Sequence, residues 1–318
     1  MTGLVHLRLV VPEDLADQVR GLLVDHECAT NVVVLTGAAR KPAGDVVEAD
    51  VAREAASSVL DDLAATGLPD RGGIVVSEPT DTPFAAAREL DRAAPGDPDD
   101  AVIWSAVLDD AEAASRPTIT YLAFLVLATV LASIAVITDS SVLVVGAMVV
   151  GPEFVSVAAV CVGLVMGRWS LAARSLLLLV AGFAAAIALV TVLALLAVAT
   201  GFVSDDMVTR PRPLTGFIWH PDRWSFVVAL VAGAAGVLAV ATRKSSTMVG
   251  VFISVTTVPA AGNLALGLAI GDRSEIVGSA TQLSVNIVGM VLAGIVTVAA
   301  LKLARARVAR LGPPVGGR

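Results

Sequence analysis

Glu153 is the residue in this chain whose type and position most suggest chemistry. It follows Gly151-Pro152 halfway along an apolar stretch, 142 to 166, that is long enough to cross a lipid bilayer. An acid at that depth costs about 2.5–3.5 kcal/mol on insertion scales, so it is expected to face the protein interior or a cavity. A proton-coupled or cation-binding role is chemically reasonable there. Pro152 frees a backbone carbonyl and bends the helix, and in hydrocarbon the freed group needs a neighbour, a water or a ligand. A second such place is expected at Val258-Pro259, with Ser254, Thr256 and Thr257 before it and Asn263 after it. In the last apolar stretch Thr281, Gln282, Ser284 and Asn286 add hydroxyls and amides, and Gln282 and Asn286 share a helix face by their spacing of four. The expected site thus comprises Gly151, Pro152, Glu153, Thr256, Thr257, Pro259, Asn263, Gln282 and Asn286, able to surround a cation or a small polar solute. The competing reading of the neutral residues is interhelical hydrogen bonding at about 1 kcal/mol each, with Gly163, Gly167, Gly267 and Gly271 allowing close helix contact. Walker, dinucleotide-binding, HExxH, CxxC and nucleophile-elbow patterns are all missing, so no enzyme activity, cofactor or metal is expected.

The elements that position these residues follow from composition. The chain is 56% hydrophobic with a mean hydropathy of +0.82, above the range of soluble domains. Before residue 118 there are 22 acids and 9 bases, net −13, and after it 7 acids and 13 bases, net +6. The acidic part suits a soluble module and argues against nucleic-acid binding. The basic part suits a membrane. Apolar stretches at about 119–138, 142–166, 175–200, 226–242, 248–270 and 276–301 predict six transmembrane helices. The first twenty residues contain Glu13, Asp14 and Asp17 and lack an apolar signal region, so the N-terminus is expected in the cytoplasm. With that orientation the inner connections carry nine bases and the outer ones four (Arg210, Arg212, Arg223 and Arg273), which satisfies the positive-inside rule. A multi-pass protein of the inner (cytoplasmic) membrane with both termini cytoplasmic is expected. The outer connection 201–225 holds Trp219 and Trp224 as interfacial anchors and a lone His220.

Residues 1–80 predict a cytoplasmic α+β module. Alternation in 4–11, a helical stripe through Leu15, Val19, Leu22 and Leu23, strands at 29–36 and 45–51, a helix at 52–66 and a strand at 73–77 give the order βαββαβ, a ferredoxin-like arrangement. His6 and His26 lack a second metal ligand at useful spacing, and Cys28 and Cys161 have no expected partner in the chain. Residues 81–117 read as a linker broken at Pro95, Gly96 and Pro98 and ending in a juxtamembrane amphipathic helix, with Ile103, Trp104, Val107, Leu108 and Ala111 in its stripe. That stripe is expected to pack on the protein's own domains, because Asp109, Asp110 and Glu112 would be repelled by anionic lipid. Residues 118–302 form the six-helix domain, and 303–318 a basic cytoplasmic tail.

The segments Ala135–Ser141 and Ala239–Ser246 resemble each other, each followed by an early glycine (Gly146; Gly250) and a deeper proline (Pro152; Pro259). Three spans per unit would invert the second copy, a plan recurrent in secondary transporters. Gly146-Ala147-Met148 with Gly151-Pro152, Gly233-Ala234-Ala235-Gly236, Val249-Gly250-Val251 leading to Pro259, and Asn286 together resemble the DUF389 family of hydrophobic bacterial and archaeal membrane proteins over about 118–300. The resemblance implies a membrane fold and no particular activity. Members usually carry a second Gly-Pro after the first proline and a double proline in the fifth span, where this chain has Val155-Ser156 and Pro259-Ala260. Glu153 also departs from the more apolar family pattern. The expected function is a transporter or channel for an ion or small polar solute, its pathway between the interrupted second and fifth helices. The alternative is a membrane-anchored ligand sensor or oligomeric scaffold, and a homo-oligomer is expected under either.

Overall fold

A computed structural model describes residues 3–79, 81–94, 98, 101–243 and 255–311, with side chains to 304 apart from those of 91–93. The chain divides into two compact units, one reaching Ala106 and clustering with the segment from Leu301, the other Val107–Ala300.

The first unit is built on an antiparallel sheet of β1 (Leu4–Val11), β2 (Ala29–Arg40), β3 (Ala43–Ala52) and β4 (Gly73–Ser77), in the order β2-β3-β1-β4. The alternation predicted in β1 holds: Val5, Leu7, Leu9 and Val11 are buried, while Arg8 on the opposite face pairs across the sheet with Glu48. Val19 and Leu23 of α1 (Ala16–Val24) and Ala56, Val59 and Leu63 of α2 (Arg53–Ala65) close the core over that face. Each such buried Leu or Val stabilises by about 1.5–3 kcal/mol. A short helix, α3 (Leu68–Arg71), precedes β4. β2 runs past the predicted stop at Gly37, because that glycine takes a left-handed conformation (φ 64°) within a register shift and gives its amide to Asp45. His6 is engaged by Asp50 through Nδ1 at 2.8 Å.

The stretch expected to be a linker also packs on this unit. In α4 (Ala85–Ala93), Ala87 and Leu90 lie buried with Leu4, and Ala94 and Ile103 join the main core. The compact unit therefore continues well beyond residue 80, since apolar residues between 84 and 106 find cover on it. The predicted break at Pro95 and Gly96 lies outside the described residues. In α5 (Trp104–Ala114) Trp104, Val107 and Ala111 of the predicted stripe are buried.

The second unit is helical. It contains α6 (Ile119–Ile137), α7 (Ser141–Val150), α8 (Glu153–Val165), α9 (Trp169–Ala199), the short α10 (Asp205–Thr209), α11 (Arg223–Ala241), α12 (Thr257–Ile270) and most of α13 (Arg273–Leu311). Among the described residues four helices are long and apolar enough to cross a membrane, with α7 and α8 making a fifth if that bent pair is one span; α12 is shorter. This is a membrane protein by the length and hydropathy of its helices. Ser140, Ser245 and Ser246 belong to the two similar segments, and Ser140 caps α7 by accepting from the amide of Leu143; Ser245, Ser246 and Gly250 lie outside the described residues.

Ion pairs and loops define the two ends of this unit. At one end Arg243 meets Asp110 at 3.0 Å and Arg168 meets Glu112 at 3.7 Å. At the other, Asp139 accepts from the amide of Leu214 and the hydroxyl of Thr215, and Arg210 donates to the carbonyl of Ile137. α8 leads from the α7–α8 break to the Arg168 end. α12 leads to the Asp139 end, where Gly267 packs on Glu275. Gly163 likewise admits the backbone of Ala172, as expected of close helix contacts, whereas Gly167 and Gly271 follow α8 and α12 with positive φ and terminate them.

Candidate functional site

The α7–α8 pair bends by 51° at Gly151-Pro152. Pro152 is the N-cap of α8 and Glu153 its first residue, a position where a proline costs no helix hydrogen bond and a carboxylate faces the positive end of the helix. Glu153 is buried, at 7% exposure. Its Oε1 accepts a 2.6 Å hydrogen bond from the Thr257 hydroxyl, and its Oε2 is buried without a hydrogen-bond partner among the described residues. Oε2 fills the space beside Gly151: a Cβ there would collide with it and with Val258.

Thr257 is the first residue of α12, so two helix N-termini meet at this carboxyl group. Pro259 does not interrupt a running helix, as the sequence reading had it. It lies in the first turn of α12, where no intrahelical donor is needed. Thr256, the N-cap, accepts from the Gln282 amide at 2.9 Å and the Asn286 amide at 2.8 Å. A hydroxyl has one proton to give, so at least one of those two amides must be the donor. The Gln282 Oε1 is buried without a partner. Eight of the nine expected residues are thus gathered around the paired threonines at the start of α12.

Asn263 is the exception. It lies six residues further along α12, about 9 Å in helical rise from Thr257, and belongs to a second cluster. Its Oδ1 accepts from Arg212 at 2.7 Å, and its Nδ2 donates to Glu275 at 2.6 Å and to Ser279 at 2.7 Å. Arg212 and Glu275 form a direct ion pair with side chains 2% and 4% exposed. The Trp219 ring lies 5.9 Å from the Arg212 guanidinium carbon, in cation–π range, and its other neighbour is the His220 ring. A cleft of about 470 Å³ lined by Arg210, Arg212, Trp219 and His220 lies at this end. In the sequence Arg212 reads as one charge of the outer connection, and nothing local marks Glu275 or Ser279. The one local hint is an arginine held between Pro211 and Pro213; its partner lies 63 residues on.

Thr281 and Ser284 donate to carbonyls of their own helix, Val277 and Ala280, and have no part in either cluster. Among the described residues no group of three or more His, Cys, Asp or Glu could hold a metal ion. Cys28 and Cys161 are both free.

A bundle of long apolar helices with one bent pair and a buried carboxyl group at the bend defines a polytopic membrane protein with a polar interior site. Residues 148–292, a little under half of the chain, match the family described as "Domain of unknown function (DUF389)". The matched span contains Glu153, Thr256, Thr257, Gln282 and Asn286, both clusters included. No curated protein and no solved structure matches the chain.

Proposed function

We propose that this protein is a transporter or channel for an ion or small polar solute, with its pathway between the α7–α8 break and the start of α12. The observation that carries the reading is the buried Glu153, which accepts a hydrogen bond from Thr257 at one oxygen and whose other oxygen has no hydrogen-bond partner among the described residues. A structural acid would have both oxygens satisfied, because an unmet buried acceptor costs about 1–3 kcal/mol. A group that takes up and releases a ligand needs that free valence.

The proposal includes six crossings in the inner membrane with both termini cytoplasmic, the fifth being the apolar stretch 248–270 of which α12 is the described part. The direction of α12, opposite to that of α8, supports an inverted 3+3 repeat. The strand order β2-β3-β1-β4 supports a ferredoxin-like cytoplasmic module with an assembly or regulatory role, and a homo-oligomer is part of the same reading. Transport is tested with the purified full-length protein in liposomes. Flux of protons, sodium, potassium or chloride above that of empty vesicles is expected, and Glu153→Gln should change it. Vesicles no leakier than empty ones to any of these, together with an unaltered Glu153→Gln phenotype in cells, would refute transport.

A further inference from the structure

The charge count around Glu153 names the class of solute, and it rests on the transport site proposed above. Thr118 caps α6, Ser140 caps α7 and Asp222 caps α11 with their side chains, whereas α9, which starts at the exposed Arg168 end of the unit, has no side-chain cap. α8 and α12, which start against each other, have no such cap. Each bare helix start carries about half a positive charge, so the two together offset one carboxylate. Glu153 is the sole charged side chain of α6, α7, α8 and α12. In the neighbouring helices the charges lie toward the ends: Arg174 in α9, Arg223 in α11, and Arg273, Glu275 and Lys302 in α13. The titratable group that feels the Glu153 charge is the Tyr121 phenol of α6. These statements cover the described residues.

The second observation is the side chain itself. Glu153 is more than nine-tenths buried, its Oε2 has no hydrogen-bond partner among the described residues, and it occupies the space left by Gly151 between the two helix starts. It sits where a free anion would sit, tethered by its own chain. We propose that this is a site for one small monovalent anion, with Glu153 as its built-in occupant. When Oε2 takes a proton, the two helix starts are left with about one uncompensated positive charge, which an anion bound beside the neutral side chain offsets. The Gln282 and Asn286 amides, gathered at Thr256, supply donors beside it. Both the empty form, with ionised Glu153, and the loaded form, with neutral Glu153 and an anion, are then neutral overall. Neutrality is what a site of low dielectric requires. A cation gains little here, because the carboxylate is already offset by the helix starts.

One proton and one anion therefore bind together. Nitrate and chloride binding to the detergent-solubilised full-length protein, measured by calorimetry from pH 5 to pH 8, tests this. Over the range where Glu153 is ionised in the free protein, anion affinity should fall by about tenfold per pH unit, as one linked proton demands. Glu153→Gln should bind these anions with no such slope, and Glu153→Asp, which keeps a titrating carboxyl, should restore it. In liposomes an inward acid gradient should drive uptake of nitrate with one proton. A flat pH profile in the wild type, absence of anion binding throughout the range, or saturable sodium or potassium binding that Glu153→Gln removes would each overturn the assignment. Proton-linked binding without flux would uphold the anion site and refute transport.

Discussion

Replacing Arg212 with methionine tests whether the buried network at the Asp139 end holds the loop between α9 and α11 to the bundle. Arg212 and Glu275 are almost fully removed from solvent, and Asn263 bonds to both. Removing the guanidinium takes away the ion-pair partner of the Glu275 carboxylate and leaves it the Asn263 amide as a hydrogen-bond donor. An uncompensated buried charge of this kind costs about 3–5 kcal/mol. Asn263 also loses the donor to its Oδ1, which adds about 1 kcal/mol. Glu275→Met should cost a similar amount by stranding Arg212. The double variant Arg212→Met/Glu275→Met removes both charges and strands only part of the Asn263 amide, at about 1–3 kcal/mol. It should be more stable than either single variant, with a coupling of at least about 2 kcal/mol. Denaturant unfolding in detergent micelles, followed by tryptophan fluorescence, measures this, and Trp219 beside Arg212 is a local reporter. Single variants within about 1 kcal/mol of wild type, or a double variant as unstable as the sum of the singles, would show that the pair is not a buried, mutually dependent unit.

Gly262 of α12 lies where an added Cβ would come 2.9 Å from the Ser133 amide nitrogen and the Thr129 carbonyl of α6, so Gly262→Val should destabilise the membrane unit by about 1–3 kcal/mol or more in the same unfolding assay. Leu9, fully buried in the sheet core, should cost about 2–5 kcal/mol as Leu9→Ala, seen as a lower denaturant midpoint for loss of β-sheet circular dichroism. Burial, then the nearby Glu27 and Glu54 charges, push the Cys28 thiol up. Its alkylation in the folded protein should therefore be slower at neutral pH than that of a free cysteine and should accelerate as pH rises, a rate readable by mass spectrometry. Thr257→Val removes the hydrogen bond that the Thr257 hydroxyl gives to Glu153 and should alter ion flux in liposomes while changing stability by no more than about 3 kcal/mol.

Much of the fold was legible because it is periodic. The alternation of 4–11 placed Val5, Leu7 and Leu9 on the core face of β1, and the apolar runs marked the helices α6, α9, α11 and α13. Those patterns arise from local geometry and from transfer of apolar surface out of water, which act on neighbours in the chain. Glu153 stood out for a related reason: a lone acid after Gly-Pro inside an apolar stretch conflicts with its surroundings.

Contacts between distant residues were settled by the tertiary structure. Asn263 looked from its spacing like a companion of Thr256 and Thr257, yet six residues of helix carry it about a turn and a half away, to Arg212 and Glu275. Pro259 looked like an interruption inside a helix, but a proline is equally suited to a helix's first turn, and its place in the first turn of α12 shows which applies. The meeting of two uncapped helix starts at one carboxyl group joins residues 104 positions apart. Hydropathy and spacing are properties of a segment, whereas the partners of a buried charge depend on which segments pack together.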